Sequence, residues 1–196
     1  MKKFREKFRV TENIENNKID DQSYFKENGF LFLKEIINTF GGNIYNHGVF
    51  KIHTFEYVQK WTGYLKNYFT EEFPKFDMLC FASNWQGIMY CINSTNSKIV
   101  YFDPATCEFF EAEFSINDFF DKILVEGEYD IIFEEYFNET REFMKFNLIQ
   151  FDKSIGHIIY LHLGGQDDVD NLEIVDTEVL WELQIEIANR INEIPD

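Results

Sequence analysis

Four histidines, three cysteines and several pairs of carboxylates are the residues of this chain that could do chemistry, and their spacing decides whether they do. His47, His53, His157 and His162 would serve a metal or a proton transfer only where two of them converge on one point. Gly156 to Leu163 reads as a buried strand, and on a strand His157 and His162 face opposite sides. They fail as a ligand pair. Asp167, Asp168, Asp170 and Glu173 crowd one loop, but a calcium loop needs oxygens at alternate positions and a glycine at the sixth. Counted from Asp168, the fifth position is Leu172 and the sixth Glu173, so the loop reads as solvated. Glu71/Glu72 and Glu134/Glu135 are adjacent acids, and adjacency does not create the fixed separation across a cleft that glycoside hydrolysis requires. Gly164-Gly165 follows a strand, as a phosphate loop would, yet lacks the further glycines of a dinucleotide loop and the Gly-Lys-Ser/Thr ending of a P-loop. The acids that follow would repel phosphate, so Gly164 and Gly165 read as a structural turn. Cys80, Cys91 and Cys107 are odd in number and have no C-x-x-C spacing, which predicts free thiols in a reducing compartment. No catalytic residue, metal ligand or cofactor is assigned, and the expectation is a protein that is not an enzyme.

The elements that position these residues read as α+β. Residues 1–22 are polar and mixed in charge, and predict an arm or a loosely docked helix. Phe25 to Phe40 has Phe30, Leu33, Ile37 and Phe40 at helical spacing and stops at Gly41-Gly42. A hairpin is predicted around Asn46-His47-Gly48, leading into Val49 to Ile52. Residues 54–69 place Phe55, Val58, Trp61, Leu65 and Phe69 on one helical face. Four strands follow, Phe76 to Ser83, Ile88 to Asn93, Lys98 to Phe102 and Glu108 to Phe114, divided by clusters of turn formers, so an antiparallel meander is predicted. Ser115 caps a helix that buries Phe119, Phe120, Ile123 and Leu124 and ends near Gly127. A helix over Tyr129–Phe146, the strand Gly156 to Leu163 and a short strand Leu172–Val175 come next. Thr177 then caps a last helix whose Val179, Leu180, Leu183, Ile187 and Ile191 form one apolar stripe. The architecture predicted is a meander flanked by helices, with a smaller α/β C-terminal subdomain packed on it.

Charge narrows the partners. The formal net charge is −17, from 35 acidic residues against 18 Lys plus Arg. The first ten residues run the other way, with Lys2, Lys3, Arg5, Lys7 and Arg9 against Glu6. Glu108 to Glu142 holds twelve acidic residues and two basic ones, and Asp167 to Asp196 holds ten against Arg190. Such a field repels nucleic acid and anionic membrane and attracts basic partners. The chain is nevertheless 18% aromatic, with 23 Phe, which disordered chains are not. No apolar stretch follows the basic N-terminus as in a signal peptide, and none reaches the roughly 18 residues of a membrane span, so a cytoplasmic protein is expected. Carboxylates beside Tyr, Phe and Trp suit a protein interface, where aromatics anchor and charges steer.

Two stretches resemble a known family. Ile159-Tyr-Leu-His-Leu-Gly-Gly-Gln-Asp-Asp-Val-Asp-Asn-Leu-Glu-Ile-Val-Asp, followed by a terminal helix, is similar to the C-terminal domain of type VI secretion DNase-immunity proteins. Phe32 to Phe120 resembles the GAD-like domain that precedes it, through Gly48-Val-Phe-Lys-Ile, the Trp61 helix, Phe81-Ala-Ser-Asn-Trp-Gln-Gly, Tyr101-Phe-Asp-Pro and Asn117-Asp-Phe-Phe. The meander is also similar to SMI1/KNR4-type immunity folds. The arm over 1–22 lies outside the matched stretches, and the resemblance implies a GAD-like domain over 23–125 and an immunity-type subdomain over 126–196. It further implies a cytoplasmic protein that binds and neutralises a cognate secreted toxin with a basic surface, a type VI effector such as a nuclease. The alternative is an SMI1/KNR4-like interaction or regulatory module with no toxin partner. Charge density places the expected contact surface on the helices after the meander, at Glu126, Glu128, Asp130, Glu134 and Glu135.

Overall fold

A computed structural model describes residues 1–19, 23–27, 30–69, 77–127 and 130–192. The chain opens with helix α1 (Lys2–Lys7), strand β1 (Val10–Asn13), the short helix α2 (Ser23–Glu27) and α3 (Leu31–Phe40). Strands β2 (Asn43–Tyr45) and β3 (Phe50–Ile52) flank a turn at Asn46–Gly48, and α4 (Phe55–Tyr68) crosses to the meander. The meander is β4 (Met78–Asn84), β5 (Met89–Asn93), β6 (Lys98–Asp103) and β7 (Glu108–Ser115). Every neighbouring pair is antiparallel, and the seven strands lie in one sheet in chain order. Helix α5 follows as turns Ile116–Asp118, Phe119–Ile123 (π-helical) and Leu124–Glu126; then come α6 (Glu134–Met144), a β8–β9 hairpin (Lys153–His157, Leu172–Asp176) and α7 (Thr177–Asn192). Among the described residues no helix is long and apolar enough to cross a membrane.

Two-residue periodicity explains why β4 and β5 are buried on both faces. Leu79, Phe81, Tyr90, Ile92 and Ile99 enter one cluster with Phe119 and Phe120 of α5. Met78, Cys80, Met89, Cys91, Val100 and Phe102 enter the other, against Trp61 and Leu65 of α4 and Trp181 of α7. Cys80 and Cys91 are free, buried and directly opposite across β4 and β5, while Cys107 is half-buried. The expected helix over 54–69, the hairpin, the meander and the Ser115 cap stand as read, with Ser115 Oγ accepting the Asp118 amide.

Several expectations are corrected. Of the two readings for the N-terminal segment, an arm or a loosely docked helix, the described residues 1–19 hold a firmly docked helix: Phe4 and Phe8 are 0% and 2% exposed, and Phe4 packs on Tyr45, Phe50 and Phe120. The i, i+4 spacing of the two rings supplies an inward stripe among the charges, and β1 forms the edge of the sheet. The helix expected over Phe25 to Phe40 is two helices, joined where the Phe30 amide bonds the Phe25 carbonyl. The helix expected over Tyr129–Phe146 is confined to α6. Phe133 sits at φ 53°, the Asp130 carboxylate accepts the Glu134 amide, and Lys145 at φ 58° ends the last turn. Tyr129, Phe76 and the pair Glu71/Glu72 lie outside the described residues. α7 is rotated from the expected stripe. Leu180, Trp181 and Gln184 face inward, whereas Val179 and Leu183 are exposed, because Thr177 bonds Ser154 and Trp181 Nε1 bonds the Gly87 carbonyl at 2.9 Å.

The C-terminal elements are pinned to the sheet by buried polar contacts. Trp85, between β4 and β5, accepts the Ile155 amide at 2.7 Å through its carbonyl and donates its indole N–H to the Ile132 carbonyl at 2.8 Å. Lys51 of β3 is 1% exposed and donates to the Phe151 and Lys153 carbonyls. Burial lowers its pKa from 10.5 to about 7, against the opposing pull of Asp152. Between those values the unfolded chain binds the extra proton, so this lysine makes stability rise with pH from about 7 upward. The stability difference between wild type and Lys51→Met, from urea melts at pH 7 to 9, should shift toward wild type by up to roughly 1.4 kcal/mol per pH unit. A difference independent of pH would contradict this account.

Candidate functional site

Two of the acids expected to form the contact surface are paired with the N-terminal segment. Glu126 pairs with Lys3 at 2.8 Å and Glu134 with Lys7 at 3.1 Å, while the N-terminal ammonium holds Asp121 at 2.5 Å. The basic start of the chain thus lies along α5 and α6 and neutralises part of their charge. One oxygen of the exposed Asp130 also accepts the Glu134 amide at 3.2 Å. Asp130, Glu134 and Glu135 do gather, with Lys7, around a concavity of about 320 Å³. Glu128 lies outside the described residues.

The histidines also separate. His47 Nδ1 meets the Asn147 carbonyl at 2.9 Å, His157 Nε2 meets Asp167 at 3.1 Å, and His162 lies in a turn at Leu161–Leu163. His53 is 1% exposed, with Nδ1 3.3 Å from the Cys80 carbonyl and Nε2 3.2 Å from Ser83 Oγ. That order would let Nε2 accept the serine proton, but the Nδ1 partner is a peptide carbonyl rather than a carboxylate. As placed, the pair satisfies buried polar groups on the floor of a cavity of about 330 Å³ rimmed by Tyr57, Phe151, Asp152 and Glu178. Sequence spacing could not reveal it, because His53 and Ser83 meet only through the pairing of β3 with β4. Among the described residues no group of His, Cys, Asp or Glu is arranged to hold a metal ion.

The segment after β8 differs most from its sequence reading. The buried strand expected over Gly156 to Leu163 ends at His157, whose partner Leu172 is the first residue of β9. Beyond it the Asn171 side chain replaces the ladder, accepting the Ile159 amide and donating to the Ile159 and Gln166 carbonyls at 2.8–2.9 Å. The chain then turns outward. Ile158 is 53% exposed, Ile159 56%, Leu161 36% and Leu163 62%. Gly164 and Gly165 form the turn they were expected to form, after a 3-10 turn rather than a strand. Gly164 has φ +87°, and a Cβ on Gly165 would lie 1.8 Å from the Ile159 carbonyl oxygen. Asp167, Asp168 and Asp170 follow, all exposed, with Asp167 accepting from Tyr136 Oη at 3.3 Å. A loop held this firmly while presenting four apolar side chains has the makings of a contact surface.

Comparison with protein families and with curated proteins finds no match. Among solved structures the fold is similar to the crystal structure of Atu4351 from Agrobacterium tumefaciens, with a TM-score of 0.69 at 17% identity, over 92% of this chain and 86% of that one. At that identity the likeness establishes a shared fold.

Asn171→Ala tests the clamp. It should cost about 1 kcal/mol of global stability and speed amide exchange at Ile159 about tenfold or more, since local opening replaces a fixed hydrogen bond. Unchanged exchange at Ile159 would show that the loop is held by something else.

Proposed function

We propose that this protein is an immunity protein, which binds a toxin secreted by a neighbouring cell, a type VI effector with a basic surface, and blocks it. The observation that carries this reading is the clamped loop from Ile158 to Leu163, exposed and apolar, running into the acids Asp167, Asp168 and Asp170. A partner protein would bury those apolar groups, which supply affinity, while the acids steer a basic partner into place. The net charge of −17 favours the same class of partner. A nuclease toxin must carry a basic groove for phosphates, and occupying that groove excludes its substrate. The resemblance of Ile159–Asp176 to DNase-immunity proteins covers this loop and β9, and that of Phe32–Phe120 to the GAD-like domain covers β2 to β7 of the large sheet. In this reading the contact face moves from Glu126–Glu135, partly neutralised by α1, to the loop and the acids beside it.

Co-expression with the toxin encoded in the adjacent reading frame is expected to restore growth. Leu163→Glu should leave stability within about 0.5 kcal/mol, as befits an exposed site, yet weaken toxin binding roughly tenfold, or about 1.4 kcal/mol. Rising salt should slow association. Growth that stays arrested, or an affinity unmoved by Leu163→Glu and by salt, would overturn the reading.

A further inference from the structure

Cys80 and Cys91 lie buried in the middle of the sheet, and both are free thiols. They face each other in the β4–β5 register, and the backbone shows which kind of pair they form. The Cys80 amide donates to Thr62 Oγ1 at 3.0 Å, and the Cys80 carbonyl lies 3.3 Å from His53 Nδ1. Both backbone groups of Cys80 therefore point away from β5. Three residues earlier the Asp77 carbonyl accepts the Ser94 amide, which sets the same alternation from the far end of the pair. A non-hydrogen-bonded antiparallel pair brings its Cα atoms to about 4.5 Å and its side chains closest together. That separation lies within the range a disulfide spans without moving the backbone. The two sulfurs enter one cluster, with Trp61, Met89 and Trp181.

A base stands beside one of the two thiols. Cys80 Sγ is 3.9 Å from His53 Nδ1, and His53 Nε2 is 3.2 Å from Ser83 Oγ. In the tautomer that donates its Nε2–H to Ser83, the Nδ1 lone pair faces Cys80. Taking the Cys80 proton leaves an imidazolium with an acceptor on each side. Burial opposes ionisation of Cys80, but the Cys91 thiol and the His53 ring outweigh it and lower the Cys80 pKa. Burial and the Cys80 sulfur raise that of Cys91. The cavity of about 330 Å³, with His53, Ser83 and Met89 in its wall, brings a small oxidant as far as the base. We propose that Cys80 and Cys91 are a dithiol that hydrogen peroxide converts to a cross-strand disulfide, with Cys80 as nucleophile, His53 as its base and Cys91 as the resolving thiol. The Cys80 sulfur attacks one peroxide oxygen, the O–O bond breaks, and the leaving oxygen takes the proton from His53 and departs as water. The Cys91 sulfur then attacks the sulfenic acid, the S–S bond closes, and the expelled hydroxyl leaves with the Cys91 proton as a second water. The two thiols are oxidised and one peroxide is reduced. The bridge staples the hairpin that carries Trp85, and it is independent of the toxin-binding reading.

The test uses the full chain carrying Cys107→Ser, which removes the half-buried third thiol, and hydrogen peroxide as the oxidant. Treated while folded, the protein should lose the mass of two hydrogen atoms. After unfolding, neither cysteine should take up iodoacetamide, and peptide mapping should find Cys80 linked to Cys91. Dithiothreitol should restore both thiols. A second substitution separates the roles. With Cys91→Ser added, dimedone should trap a sulfenic acid on Cys80; with Cys80→Ser added, Cys91 should react roughly tenfold more slowly, because it lacks the base. His53→Gln should slow closure of the bridge by a similar factor while amide exchange in β4 and β5 stays as in the parent. Where His53→Gln fails to fold, the contrast between the two cysteine variants decides the role of the base. Thiols that stay free under peroxide, a sulfinic acid on Cys80 in place of the bridge, or equal rates at Cys80 and Cys91 would each overturn the proposal. So would a disulfide that forms only in urea strong enough to unfold the sheet.

Discussion

The turn between β4 and β5 is the contact on which the rest of the molecule depends. Trp85 is fully buried, and its backbone and indole reach three other parts of the chain: the Val49 carbonyl at 3.2 Å, the Ile132 carbonyl at 2.8 Å and the Ile155 amide at 2.7 Å. Its ring packs against Tyr136 and Phe137 of α6. Two residues on, Gly87 at φ +81° brings its carbonyl to Trp181 Nε1, and a Cβ there would lie 3.2 Å from Leu180 Cδ2 and 3.3 Å from Ser154 Oγ. β8, α6 and α7 are therefore oriented by one four-residue turn, because buried backbone groups at that point have nowhere else to bond. The exposed loop stands on those three elements.

Local pattern was enough for much of the fold. The strand runs of β4 to β6, the turn formers between them, the face of α4 and the Ser115 cap were all readable, since each is set by neighbours in sequence. What escaped was set by distant partners. Ile158 to Leu163 has the composition of a buried strand, but the Asn171 clamp, twelve residues from Ile159, and the 3-10 turn at Leu161–Leu163 end the ladder and leave it exposed. The face of α7 was misread because Trp181 is held by Gly87, 94 residues away. Phe4 and Phe8 were hidden among charges, and their partners Tyr45, Phe50 and Phe120 lie far along the chain. Of the site, the Gly164-Gly165 turn and the acids after it were legible. The buried pair of His53 and Ser83 was not, since it forms only through the pairing of β3 with β4.

Charge acquires a different meaning in three dimensions. Counted along the chain, the acids after Glu108 form the densest run, yet α1 lays Lys3 and Lys7 on Glu126 and Glu134. Those pairs are partly exposed and contribute little stability individually. Their consequence is electrostatic: the basic N-terminal segment is folded against acids of its own chain. From Asp167 onward Lys60 pairs with Glu178, Lys153 with Asp176 and Arg190 with Glu186, which leaves Asp168 and Asp170, beside the exposed apolar loop, without an ion pair among the described residues. On the proposed reading, affinity from buried apolar groups and steering from carboxylates would act at the same place.

The central claim is that this loop is the surface that engages a toxin. Hydrogen exchange of the full chain, alone and with the toxin from the adjacent reading frame, tests it most directly. The account expects new protection over residues 158–170 together with the exposed side of α7. Protection confined to α1 and the α5–α6 acids, or none at all in a complex that forms, would contradict it.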